Sequence, residues 1–261
     1  MAMASTAIFS GHILTRCAQL PPPNKRNKFP VKVNKINEVS ISYLKLKPER
    51  GSECRIRASD SSSVSASPGK MPDVLSEDVE SSLAMAEVFD LSGKAVRLTD
   101  LWKERKAVVG FARHFGCVLC RKRADILASQ KGSMDAAGVA LVLIGPGSID
   151  QAKEFAKQTQ FPGEVYADPS HSTFDALKFV SGVSTTFTPL AGMKIIESYL
   201  QGYRQDWRLS FQKETVNRGS WQQGGILVAG PGENNIVYLH KDREAGDDPD
   251  VKDVLKACCT S

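Results

Sequence analysis

Ala107-Val108-Val109-Gly110-Phe111-Ala112-Arg113-His114-Phe115-Gly116-Cys117-Val118-Leu119-Cys120-Arg121 is the stretch on which the fold turns. Its first five residues form an unbroken apolar run of the length and character of a buried strand. A turn at Gly116 follows, and then a C-x-x-C pair at the start of a predicted helix running from Cys117 to about Lys131. A helix N-terminus favours an anion, so the first thiol, Cys117, is expected below the ordinary thiol range and ready to act as a nucleophile. Cys120, one helical turn on, is placed to resolve the product by closing a disulfide. The same pair can also be read as two structural cysteines. A metal reading needs two further ligands, which only His114 or the adjacent Cys258-Cys259 could offer at poor spacing, so no metal and no cofactor is expected.

Around this centre the apolar pattern alternates strands and helices. Val88 to Leu98 predicts two short strands about Ser92-Gly93, with Thr99 capping a helical turn through Trp102. Gly138 to Gly145 is a central strand, Ser148 caps a helix from Ile149 to about Thr159, Val165 to Ala167 is a strand, and Ser172 to Phe179 a helix. Pro189 to Gln212 carries Ile195, Ile196, Tyr199, Leu200, Tyr203 and Trp207 at helical spacing, a stripe expected to pack into the core. A hairpin over Gly224–Gly230 and Ile236–His240 and a helix over Asp250–Ala257 close the chain. The order is that of an α/β, thioredoxin-like fold: a central mixed sheet flanked by helices, with a helical insertion before the final hairpin.

Charge divides the sequence. Residues 1–57 hold eleven Lys/Arg against Glu38, Glu49 and Glu53, whereas the remainder carries 23 basic and 26 acidic residues. Residues 1–58, beginning Met-Ala and free of acids before Glu38, are predicted to be a chloroplast transit peptide, with a stromal destination. Residues 59–85 follow as a Ser-rich linker and acidic extension, in which a short helix starts near Ser76, and 86–261 as the folded domain. An ordinary acidic domain gives no case for nucleic acid, and no stretch is apolar enough for a membrane span. Six cysteines this dispersed are not a secretory framework. Cys17 and Cys54 leave with the leader, and Cys258-Cys259 is either an unpaired tail or a mobile exchange partner for the 117/120 disulfide.

With these elements placed, Phe89-Asp90-Leu91-Ser92-Gly93-Lys94, Leu98-Thr99-Asp100-Leu101, Gly116-Cys117-Val118-Leu119-Cys120-Arg121 and Gly224-Gly225-Ile226 carry a resemblance. Over about residues 86–257 the chain resembles the thioredoxin-like AhpC/TSA (peroxiredoxin-like) superfamily, in its peroxiredoxin-like 2 subgroup. The resemblance implies a thiol-dependent antioxidant or disulfide oxidoreductase that acts on a small peroxide or disulfide. Its electrons would come from a thiol donor of the thioredoxin or glutathione type. Reduction of lipid endoperoxides, ascribed to some members of the subgroup, is the enzymatic alternative; a non-catalytic redox-sensing module is the other. Gly110 and His114 stand where peroxiredoxins place a Pro and a Thr, and Gly224-Gly225 where thioredoxins place a cis-Pro. The arginine that the family holds over its thiolate is matched only by neighbours, Arg113, Arg121 and Arg218. His114 could serve as base or ion-pair partner of the thiolate, or be a plain loop residue.

Overall fold

The computed structural model describes residues 77–217 and 220–259, all within one unit, Val64–Ser261. The leader, the first part of the linker, Cys17, Cys54 and Arg218 lie outside the described residues. The chain opens with helix α1 (Glu77–Met85), a hairpin of β1 (Glu87–Phe89) and β2 (Ala95–Arg97), and a 3-10 turn at Leu98–Leu101. Strand β3 (Ala107–Phe111) leads to α2 (Val118–Ser129) and α3 (Lys131–Ala136); β4 (Ala140–Pro146), α4 (Ile149–Thr159), β5 (Glu164–Asp168) and α5 (Ser172–Ala176) follow. Four further helices, α6 (Val183–Thr186), α7 (Pro189–Leu200), α8 (Trp207–Ser210) and α9 (Lys213–Asn217), form the insertion. Strands β6 (Gly225–Ala229) and β7 (Ile236–Lys241) and helix α10 (Val251–Cys259) complete the fold.

The seven strands lie in the order β2-β1-β5-β4-β3-β6-β7. β3 sits inside the sheet, parallel to β4 and antiparallel to β6, with Val109 facing Val142 on one side and Leu227 on the other. Side chains alternate across a strand. Val108 therefore joins Leu127, Leu141 and Phe155 on one face, while Val109 and Phe111 join Trp102, Ile144 and Phe174 on the other. Both faces are covered, which is why β3 and β4 are apolar without alternation. This is the thioredoxin-like α/β sheet expected from the sequence.

Helix α1, in the acidic extension, sets Val79 and Leu83 into the core beside Leu98 and Trp102. Other local expectations are corrected. Thr99 lies inside the 3-10 turn rather than capping it, its Oγ1 buried without a partner; Arg97 holds the preceding position. Helix α5 ends at Ala176 and not Phe179, since Lys178 takes a left-handed φ of 53°. The 189–212 segment is two helices, broken beyond Leu200 where Gly202 adopts φ of 96°. Its stripe is not core: Ile195, Tyr199 and Tyr203 are half-buried, but Ile196, Leu200 and Trp207 are exposed, Leu200 by 84%.

The position of α2, which carries the cysteines, is fixed from its middle by Arg123. This buried guanidinium donates to both carboxylate oxygens of Asp242, at 2.9 and 2.8 Å, and also pairs with Asp248. Nη2 holds Asp242 and Nε holds Asp248, so the guanidinium is fixed along two edges by charge-assisted bonds, and the helix is locked to the segment after β7.

Candidate active site

The C-x-x-C loop leaves the C-terminal end of β3 and is gripped by the insertion. The Asp206 N–H donates to the Gly116 carbonyl at 2.9 Å, and the Val118 N–H donates to Gln205 Oε1 at 2.8 Å. The second bond satisfies one of the donors that every helix start leaves open. Gly116 is required by this contact: a Cβ there would lie 2.4 Å from Ser210 Oγ and 2.6 Å from the Asp206 carbonyl oxygen. Asp206 in turn caps α8 by accepting the Leu209 N–H.

Cys117 is the N-cap of α2, and both it and Cys120 are thiols, 2% and 5% exposed. The Arg113 backbone N–H donates to Cys120 Sγ at 3.2 Å, while Arg113 Nη1 stands 3.8 Å from Cys117 Sγ. The rest of the Arg113 guanidinium is spent on neutral oxygens: Gln222 O (3.1 Å), Ser220 O (3.0 Å) and Thr186 Oγ1 (3.2 Å). It has no carboxylate partner among the described residues, and the sulfur it faces is the acceptor able to carry a compensating negative charge. The Cys120 thiol hydrogen-bonds Cys117, and with the charge of Arg113 this holds Cys117 well below the ordinary thiol range, against the opposing effect of burial. The same hydrogen bond, burial and the adjacent thiolate push Cys120 well above it. The two shifts run in opposite directions across the pair, Cys117 down and Cys120 up.

The two other assisting candidates act differently. His114 is buried with Nδ1 unpartnered, and burial lowers its pKa to about 4, helped by Arg113 and Arg121. The ring is neutral at neutral pH and brings no charge to the thiols, whereas the Arg113 guanidinium faces Cys117 Sγ. Arg121 is bonded elsewhere: it pairs with Asp206 at 3.6 Å, donates to Gln158 and lies over the Phe155 ring. Its task is to tie α2 to the insertion. Cys258 and Cys259 are not an exchange partner either. They end α10, with Cys259 Sγ directed to Ser133 O in α3, at the opposite end of the sheet from Cys117. Their sulfurs lie 3.2 Å apart, and burial pushes the Cys258 thiol up to about 12.

Above Cys117 opens a cavity of about 380 Å³. Cys117, Arg113 and His114 lie on it together with Ile195, Tyr199, Phe187, Trp207, Phe211 and Trp221. Sequence reading placed Ile195, Tyr199 and Trp207 only in a core stripe and missed Phe187, Phe211 and Trp221, along with Gln205, Asp206 and Thr186, because these residues come from the insertion, far along the chain. The available signal was composition, since aromatic residues recur from Phe187 to Trp221 in a segment with no strand pattern. Among the described residues no group of three metal-ligating side chains comes together.

The family described as AhpC/TSA antioxidant enzyme matches residues 126–244, a range that begins just after the C-x-x-C turn. A chloroplastic thioredoxin-like protein, AAED1, of Arabidopsis thaliana is 70% identical over 178 residues, 68% of this chain and 72% of the relative. The chain belongs to this peroxiredoxin-like AhpC/TSA family. Within it, peroxiredoxin-like 2C of Bos taurus is 32% identical over 190 residues, covering 69% of the chain and 79% of that protein. The prostamide/prostaglandin F synthase of Sus scrofa is 30% identical over 171 residues, covering 66% and 82%. Membership of the AhpC/TSA family agrees with the resemblance carried by the sequence motifs. The name of the Arabidopsis relative agrees with a plastid address for the leader.

The neutral ring of His114 sets a pH dependence. An unfolded histidine takes up its proton near 6.5, the buried one only near 4. Stability is therefore full above 6.5, falls as the pH drops towards 4 and levels off below, a loss of about 3 kcal/mol. Urea unfolding of wild type and His114→Gln between pH 7 and 4 measures it; the variant is expected to lose most of this slope.

Proposed function

We propose that the chain is a thiol-dependent peroxide reductase working through Cys117 and Cys120. The observation that carries the reading is the Arg113 guanidinium, buried without a carboxylate and facing Cys117 Sγ. The Cys117 thiolate attacks one oxygen of the peroxide O–O bond. The bond breaks, the distal oxygen leaves as alkoxide and takes a proton from solvent, and Cys117 is left as a sulfenic acid. The Cys120 thiol then attacks the Cys117 sulfur, releasing water and closing the disulfide. Two electrons from a thiol donor of the thioredoxin or glutathione type, entering by thiol–disulfide exchange, restore the pair. Because Cys120 lies one turn along the same helix, no large rearrangement of α2 is needed for resolution. His114 stays neutral throughout and lines the cavity as a polar group beside the reacting atoms.

The apolar upper wall of the cavity supports a second reading, reduction of a lipid endoperoxide. The family includes proteins named prostamide/prostaglandin F synthase. The same two cysteines would cut an internal O–O bond and leave two hydroxyls, with electron bookkeeping unchanged. Reduction of an endoperoxide at a rate well above that of hydrogen peroxide would favour it.

Turnover of hydrogen peroxide and an alkyl hydroperoxide with a dithiol donor tests the main reading. Cys117→Ser is expected to abolish turnover, and Cys120→Ser to consume about one equivalent and trap a sulfenate detectable by mass spectrometry. Unchanged turnover in Cys117→Ser, or no turnover in wild type with any thiol donor, would overturn it; the second result would leave a redox-sensing module. We further propose that residues 1–58 direct the protein to the chloroplast stroma. A fluorescent fusion of residues 1–70 should accumulate there, and a cytosolic signal would refute the assignment.

A further inference from the structure

Large apolar side chains exposed to solvent are concentrated in one part of the molecule. Of the thirteen exposed large hydrophobic residues among the described residues, all but Met85 and Ile126 fall between Val180 and Trp221. Around the mouth of the cavity Trp207 stacks on Phe211 with ring centroids 5.7 Å apart, and Phe187 packs on Trp221 at 5.4 Å. Phe211 is 70% exposed. Helix α7 continues the surface: Leu190, Met193, Ile196 and Leu200 recur at helical spacing on its open side, while Ala191 and Ser198 are buried on the other. Large apolar side chains gathered around a cavity mouth and along the helix that lines it mark a binding face.

The charges that border it are basic. Between 187 and 217 stand Lys194, Arg204, Arg208 and Lys213 against Glu197, Asp206 and Glu214. Glu197 is taken by Lys122, Asp206 by Arg121, and Arg208 by Glu154. Lys194, Arg204 and Lys213 have no ion-pair partner among the described residues, and Glu214 is the one acid in this stretch left to oppose them. Exposed tryptophans beside unpaired cations suit the boundary between anionic headgroups and acyl chains, where an indole sits half wet and a Lys or Arg reaches the headgroup. The cavity and the charges together favour a membrane occupant. The mouth lies within this face, so a second copy or partner protein seated there permanently would close the route to Cys117 that a thiol donor must also use. A lipid surface reversibly docked would instead bring apolar molecules to the opening.

We propose that the face built by α7, α8 and Trp221 docks on an anionic lipid surface, with Trp207, Phe211 and Trp221 entering the interface around the mouth of the Cys117 cavity. The docking does not require the redox reading to be correct, and its test does not use turnover.

The three tryptophans make the test selective, because Trp102 is buried, Trp207 and Trp221 lie on the face, and residues 1–58 contain none. The full chain is mixed with vesicles of equimolar phosphatidylglycerol and phosphatidylcholine, the latter brominated in its acyl chains. Co-sedimentation with a blue-shifted, bromine-quenched tryptophan emission is expected. Trp207→Ser with Phe211→Ser should weaken the quenching-competent binding by about tenfold or more. Lys194→Glu with Lys213→Glu should weaken it on these vesicles while retaining the wild-type circular dichroism. Sedimentation without quenching would mean that only the basic leader binds, and would overturn the proposal. So would no binding, or a concentration-dependent dimer that the Trp207→Ser/Phe211→Ser pair dissolves.

Discussion

A guanidinium shut away from water must find negative charge or a complete set of acceptors, and Arg113 finds both only if Cys117 is ionised. Its carbonyl and hydroxyl partners satisfy its N–H groups but supply no charge. Burying an uncompensated cation is costly, so the folded state itself favours the thiolate. The same residue reaches both thiols, with its backbone N–H on Cys120 and its side chain on Cys117. In the proposed reading the roles of attacking and resolving sulfur follow from the hydrogen bond between the two thiols, with the charge of Arg113 favouring the Cys117 thiolate.

The rest of the structure holds that arginine and that turn in place. β3 delivers both to the edge of the sheet, and its pairing with β4 and β6 sets its register over all five residues. Arg123 pins the middle of α2 to Asp242. The insertion then closes over the loop: Gln205 and Asp206 bond the backbone at Val118 and Gly116, and Thr186 and Ser220 bond Arg113. A segment that sits outside the thioredoxin-like sheet thus supplies most of the acceptors for the reactive centre and the apolar wall above it. His114, where related folds place a hydroxyl, adds a neutral ring rather than a second positive charge.

What the sequence made legible follows from the range of the interactions involved. β3, β4 and the Ser148 cap of α4 are local patterns, and each appears where the residues place it. Cys117 and Cys120 were visible because the chemistry needs them one turn apart on one helix. Arg113 was only one of three candidates, because its surroundings depend on Thr186, Ser220 and Gln222, which come from 73 to 109 positions further along the chain. Arg121 looked equivalent to it in the sequence, yet it pairs with Asp206. The apolar stripe from Ile195 to Trp207 has the spacing of a core helix, and periodicity alone does not distinguish a side chain buried in protein from one lining a cavity or a surface. Thr99 and the end of α5 failed for a smaller reason, backbone conformations set by packing and by Lys178 rather than by local preference.

The account depends on Cys117 being the anionic member of the pair because of Arg113. Alkylation of the reduced chain across a range of pH, with each cysteine followed separately by mass spectrometry, measures this directly. Cys117 should titrate below an unperturbed thiol and Cys120 above it, and Arg113→Met should move Cys117 upward. Titration of Cys120 first, or an unchanged Cys117 in Arg113→Met, would contradict the account.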